Sequence, residues 1–501
     1  MKRIAVLWDK AKIRAIGLLM VASVSLGVSG SAEAQKVTAV PGKPNLLIGA
    51  YDVASLGYTE DEYFISGEAT SYSSATPLGT DGNWRARPLS KAGYTIRLVV
   101  LRPKNAAKFN GTVLVEWLNV SGGLDAPADW FMAHREIVRK GYAYVAVSAQ
   151  KVGVDGGKSL GMDLSLKKVD PSRYGGLVHP GDAYAYDIFS QAGRAVRNRG
   201  SSNILGGLVA KRVIAMGESQ SAHFMTTYVN AVDPLAKVYD GFFIHSRFNG
   251  SAPLDGSSIM GQVNPNMPAT VKFRSDLRVP VMTFITETDL VGAARSGYYA
   301  ARQPDGKRLR VWEVPGTAHA DTYTVQVAPI DTGSVAIEKL AAAYTPTNTM
   351  MGAKFAKPVN AAPQHHYVLQ AALSGLERWV RTGKAPAASP RINLSQEEAP
   401  QPVRDANGLA TGGIRMPWVD VPATRTSGTG NSGSIMAFLF GSTEPFDAAT
   451  VARLYPGGKL EYLAKFKIAL DSSIRAGFIL PEDREEILGL AAAMFPKPES
   501  K

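Results

Sequence analysis

The sequence predicts an α/β chain built on a mostly parallel sheet with helices on both faces. Two observations carry that expectation. Short, strongly apolar runs alternate with segments whose hydrophobic residues recur at helical spacing, and strands of that kind need cover on both faces. A chain of 501 residues that is 45% hydrophobic and 20% charged also has ample material for a large core. That composition excludes a disordered polymer, a collagen and a coiled coil.

In order, strands are expected at Tyr63–Tyr72, Tyr94–Arg102, Gly111–Leu118, Tyr142–Ser148, Lys211–Met216, Tyr239–His245, Val279–Ile285 and Arg308–Val314. Helices are expected around Trp130–Lys140, Asp182–Asn198, Ser221–Val232 and Leu369–Thr382, the last stopped by Gly383 and Pro386. Two regions break the alternation. Residues 320–364 carry Pro329, Pro346 and Pro358 and are too long for a simple connection, so they read as a lid or insertion. Residues 392–501 begin with the Gly-, Pro- and Thr-rich stretch Gly408–Gly433 and end in helical segments at Leu460–Ala476 and Pro481–Met494. They read as a C-terminal extension packed on a catalytic core of residues 35–391.

Residues 1–34 have the make-up of a secretory signal peptide. Lys2, Arg3, Lys10, Lys12 and Arg14 precede the uncharged stretch Ala15–Gly30, and Ala32-Glu33-Ala34 supplies an A-x-A end. A spanning helix needs roughly 20 apolar residues, and this stretch is shorter and poor in Leu and Ile. The expectation is an exported protein, periplasmic or extracellular, with no stable membrane span after cleavage. The formal net charge of +12 comes from scattered residues with no basic run, which argues for a solvated surface and against nucleic-acid binding. With no cysteine in the chain, disulfides, zinc–thiolate sites, iron–sulfur clusters and thiol nucleophiles are excluded.

The strongest chemical signal is Val213 through Ala222, VIAMGESQSA, which reads as strand, sharp turn and helix. A serine on such a turn stands clear above the sheet, and the residues two before and two after it must be small because the backbone packs tightly there. Gly217 and Ser221 occupy those places, with Ser221 standing where glycine is more usual, so Ser219 is the candidate nucleophile. A serine alcohol needs a base, and the base an orienting carboxylate, following in the order acid then histidine. Val279–Ile285 runs into Thr286-Glu287-Thr288-Asp289, and Arg308–Val314 runs into a loop bearing His319. His319 is the candidate base and Asp289 the acid, with Glu287 as the alternative. For an oxyanion, one backbone N–H is expected from Gln220 and a second from Asn119 or Val120 in the loop after Gly111–Leu118.

Of four other histidines, His223 near the elbow and His245 at a strand end read as structural, and His365 and His366 read as surface or lid residues. Arg173, His179 and Asp182 read as an ordered loop held by an Arg173–Asp182 pair. Gln150, Lys151, Arg415 and Trp418 are further candidates for the pocket wall.

Several segments resemble the α/β-hydrolase superfamily: Asn110–Gly123, Asp170–Arg197, Gly217–Ala222, Thr286–Leu290, Trp312–Asp321 and Gly412–Ala423. More narrowly, the chain is similar to large exported bacterial alpha/beta hydrolase domain proteins. The resemblance implies an α/β-hydrolase fold and serine-dependent hydrolysis, usually of carboxylic esters, without metal or organic cofactor. Small-molecule or polymeric esters are then the expected substrates. The same three groups also cleave amides, and a silent binding protein on the same fold is the other alternative.

Overall fold

The computed structural model describes residues 35–200, 203–259, 264–292 and 297–496. The leader expected at residues 1–34 lies outside them. Nine strands form one sheet: β1 (Lys36–Val40), β2 (Tyr58–Ser74), β3 (Ala86–Pro103), β4 (Thr112–Trp117), β5 (Ala143–Val147), β6 (Arg212–Glu218), β7 (Gly241–His245), β8 (Val281–Thr286) and β9 (Leu309–Val314). Their spatial order is β1-β2-β3-β5-β4-β6-β7-β8-β9. The first three run antiparallel and β3 meets β5 antiparallel, while from β5 to β9 every neighbour is parallel. The six parallel strands therefore end along one edge, and the functional side chains gather there.

Alternation along the strands divides the interior into two layers. Val113, Val115 and Trp117 of β4, with Val213 and Ala215 of β6, pack under the helices Ala185–Arg197 and Gln220–Thr227. Leu114, Ile214, Met216, Met282 and Phe284 point the other way, into the helices Ala128–Lys140 and Gln364–Thr382. Both layers are buried, so the parallel strands read as mainly apolar runs.

The differences from expectation lie at the antiparallel end. β1 is a five-residue edge strand whose residues are exposed or half-buried, so it carries no apolar pattern. β3 starts eight residues before Tyr94, because Ala86–Gly93 is solvent-facing hairpin arm held by its pairing with β2. Beyond the sheet, Tyr462, Phe466 and Leu470 of the helix Gly458–Ala476 and Ile487 and Leu490 of the helix Arg484–Met494 enter the same layer as Trp130. Arg135 and Arg139 lock that junction through Glu486 and Asp483, each at 2.6 Å. From residues 320–364, Tyr323, Leu340 and Tyr344 are buried in this layer too. Among the described residues no helix is long and apolar enough to cross a membrane.

Phe466 is fully buried against Trp418 and Tyr462. Phe466→Ala is expected to cost about 3–5 kcal/mol of stability in denaturant unfolding. A change within a few tenths would show that the C-terminal helix contributes little to this core.

Candidate active site

Where β6 turns into the helix Gln220–Thr227, Ser219 takes φ 56° and ψ −115°, a conformation that costs a residue with a Cβ and is sustained only by its surroundings. A backbone N–H of Ser219 donates to His245 O at 2.9 Å and pins the turn to β7. The turn is crowded. A Cβ on Gly217 would sit 3.1 Å from Ser221 Cβ and 3.0 Å from Met225 Cγ. Ser221 fits the place where glycine is more usual because its hydroxyl donates to Leu118 O at 3.1 Å. That bond ties the elbow to the loop after β4.

His319 and Asp289 reach Ser219 from the ends of β9 and β8. Ser219 Oγ lies 2.9 Å from His319 Nε2, and His319 Nδ1 lies 2.6 Å from Asp289 Oδ1. Thr286 caps the short helix Glu287–Val291, and its N–H and hydroxyl both donate to Asp289 Oδ2, at 3.1 and 2.5 Å. Burial alone would protonate Asp289, yet His319 and these donors hold its carboxyl below the usual range. Burial likewise disfavours the His319 imidazolium, but Asp289 and then Glu218 outweigh it and raise the group to about 9. Phe248 stacks on the ring at 5.6 Å between centroids.

Glu287, the alternative acid, is directed away from His319. It accepts from Gly316 N–H at 2.9 Å and from Arg404 and Ser427 at 2.8 Å each, fastening the histidine loop to the C-terminal segment. The approach there is close: a Cβ on Gly428 would stand 2.4 Å from Thr288 N and from Thr317 O. Thr288 Oγ1 donates to Gly428 O at 2.5 Å.

Of the two loop candidates for anion binding, Asn119 is corrected. Its N–H is already taken by Ala126 O at 3.0 Å. The Val120 N–H has only a long contact of 3.5 Å to Gln220 Oε1. Gln220 stands at the first position of the helix that follows Ser219. The Asn119 side chain has another task, donating from Nδ2 to Glu218 Oε2 at 2.9 Å and to Glu218 O at 3.2 Å. Glu218 was missed as a site residue. Its position directly before the serine was the available signal, and its Oε1 lies 3.3 Å from His319 Nε2. Burial pushes this carboxyl up to about 8, with the imidazolium pulling in the opposite sense.

These groups open onto a cavity of about 560 Å³ with a mainly apolar wall. Phe131, Met132 and Phe248 are among its lining residues. Ile435, Phe438 and Leu439 come from the C-terminal segment, whereas residues 320–364 contribute Ala320 and Thr324. Arg415 and Trp418 do not line it. Arg415 pairs with Asp405 and Asp420, and Trp418 stacks on Tyr367 in the core. Gln150 accepts from Trp117 Nε1 and Lys151 pairs with Asp155, both away from the cavity. The expected Arg173–Asp182 pair is not formed: Arg173 binds Glu62, while Asp182 accepts from Lys151 N–H.

His365 and His366 are corrected as well, being buried rather than superficial. Asp129 Oδ1 lies 2.9 Å from His245 Nδ1, His245 Nε2 3.0 Å from His365 Nε2, and His365 Nδ1 3.1 Å from Asp321 Oδ2. This chain joins the first turn of the helix Ala128–Lys140, the end of β7, the helix Gln364–Thr382 and the loop two residues past His319. Desolvation lowers His245 well below the usual imidazole range and raises the Asp129 carboxyl. Behind them Glu116 at the end of β4 accepts from the N–H groups of Asp129 and Trp130 at 2.9 and 3.0 Å. Neither His365 nor His366 was separable from a surface residue by local pattern, since the partner of His365 on β7 lies 120 positions away in sequence. Among the described residues no group of three or more His, Asp or Glu side chains is placed to hold a metal ion.

Sheet, elbow and histidine loop together define an α/β hydrolase fold. The chain belongs to the alpha/beta hydrolase domain family, whose model matches residues 28–489. No curated protein matches it at a significant level. Among solved structures it is similar to the esterase Est22, with 14% identity, 48% of this chain and 66% of that one covered, and a TM-score of 0.28. It is also similar to an α/β serine hydrolase without a lid from Xanthomonas campestris, with 12% identity, coverages of 50% and 86% and a TM-score of 0.28. A dienelactone hydrolase from Anabaena variabilis has 12% identity, coverages of 44% and 76% and a TM-score of 0.22.

His365→Leu would leave the buried Asp321 Oδ2 without its imidazole and remove the Nε2 partner of His245. A loss of about 3–5 kcal/mol is expected, read by denaturant unfolding. Retained stability would mean that this buried chain does not hold the site's walls together.

Proposed function

We propose that the protein is an exported serine hydrolase that cleaves carboxylic esters through Ser219, His319 and Asp289. The unbroken line of contacts from Ser219 Oγ to His319 Nε2 at 2.9 Å and from Nδ1 to Asp289 at 2.6 Å is the observation that carries this reading. The mainly apolar cavity supports an ester with hydrophobic acyl or alcohol groups. The leader-like first 34 residues support export.

In this mechanism neutral His319 takes the Ser219 proton as Oγ attacks the acyl carbon. Asp289 fixes the Nδ1–H tautomer and stabilises the imidazolium that forms. The developing oxyanion is held by the N–H groups of Gln220 and Val120, each such donor being worth about 3–4 kcal/mol in the transition state. His319 then passes its proton to the leaving alcohol. Water, deprotonated by the same imidazole, releases the acid from the acyl-enzyme.

Ser219→Ala is expected to lower turnover of p-nitrophenyl acyl esters by about 10⁴-fold or more and to abolish labelling by a fluorophosphonate. Residual labelling at another serine, or faster cleavage of the matched anilides, would overturn the assignment. N-terminal sequencing of the protein recovered from periplasm or medium tests the export step, with mature chain expected to begin at Gln35. The pH dependence has a definite sign. The base acts only when neutral and is raised to about 9, so kcat/KM should climb with pH and level off above about 9. A limb near the ordinary histidine value would contradict the electrostatic account of His319.

A further inference from the structure

We propose that Glu218 is a positioning residue whose carboxylate shares the Nε2 face of His319 with the Ser219 hydroxyl and holds the imidazolium there. The inference rests on the esterase reading and deepens it. Around Nε2 two oxygens compete: Ser219 Oγ at 2.9 Å and Glu218 Oε1 at 3.3 Å. The carboxylate is held from behind, because Asn119 Nδ2 donates to Oε2 at 2.9 Å and to the Glu218 carbonyl at 3.2 Å. Asn119 is fixed in turn by its backbone pairing with Ala126 and by Ser121 N–H donating to its Oδ1 at 2.8 Å. Among the described residues His319 is the only ion-pair partner of Glu218, which is about nine-tenths buried in the cavity wall.

Two carboxylates therefore bracket one imidazole, Asp289 at Nδ1 and Glu218 at Nε2. Their effects differ in timing. Asp289 supports the ring throughout, whereas Glu218 faces the proton that must be absent before attack and present afterwards. An ionised Glu218 opposes the lone pair of the neutral base and favours the cation once Ser219 has given up its proton. The two groups titrate as a pair, burial raising the Glu218 carboxyl to about 8 and Asp289 and then Glu218 raising His319 to about 9. Other titratable groups surround the pair: Asp289 in the short helix after β8, Asp129 and His245 with His365 and Asp321 in their buried chain, and His223 on the elbow helix. All are common to the wild type and the variants below, so a difference between them reports Glu218.

The test is the pH dependence of kcat/KM and of fluorophosphonate labelling in the full-length wild type, Glu218→Gln and Glu218→Asp. Glutamine keeps an oxygen for Asn119 and loses the charge. Its rising limb should fall by about one pH unit or more, the scale set by an opposite charge within ~4–6 Å. Aspartate keeps the charge one methylene further off and should give an intermediate midpoint. Coincident limbs in wild type and Glu218→Gln would overturn the proposal. If Glu218→Gln does not fold, coincidence of wild type and Glu218→Asp overturns it instead. Absence of label in the wild type would remove the esterase reading. The ¹⁵N titration of His319 in the same proteins would then still decide on Glu218, a lower midpoint in either variant supporting it and an unmoved one ending it.

Discussion

The structure depends on one strained turn. Ser219 is held at positive φ because β6 lies between β4 and β7, each of which fastens the turn: Leu118 O takes the Ser221 hydroxyl and His245 O takes the Ser219 N–H. A Cβ at 217 would press on Met225 and Ser221, and the first helical N–H groups after Ser219 have no partner within the helix. Everything else in the site is placed relative to that fixed oxygen. Parallel pairing from β4 to β9 then brings the loops after β8 and β9 to the same edge.

The sequence carried the parallel half of the sheet well because its strands are buried on both faces. VIAMG and VMTFI cannot rest anywhere else at low cost. The elbow, the acid and the histidine were legible for a related reason: each sits one to five residues beyond such a strand, so locating the strand locates the residue. Ala86–Gly93 failed that test because its ladder bonds to β2 require no apolar residues. The choice between Asn119 and Val120 was illegible too, since it turns on a single bridge to Ala126. The Arg173 partner could not be read either, as Glu62 lies 111 positions away.

Hidden carboxylates are the larger lesson. Glu116, Glu218, Glu287 and Asp129 stand at the ends of strands or the start of a helix, where composition suggests a solvated turn. Each is buried and bonded to backbone or imidazole. Glu287 shows how chemically similar neighbours acquire different work: two residues from Asp289, it serves the backbone of Gly316 and the side chain of Arg404. Its longer arm reaches out of the line of the imidazole, and the short helix capped by Thr286 turns Asp289 into that line.

Gly428 threads between Thr288 and Thr317 with no room for a side chain, and Phe438 and Leu439 close the cavity wall a few residues later. The pocket is consequently among the last parts of the molecule to exist. A ribosome must deliver nearly nine-tenths of the polypeptide before the cleft acquires its far side, so a nascent or truncated chain carries the reactive serine without a finished chamber around it.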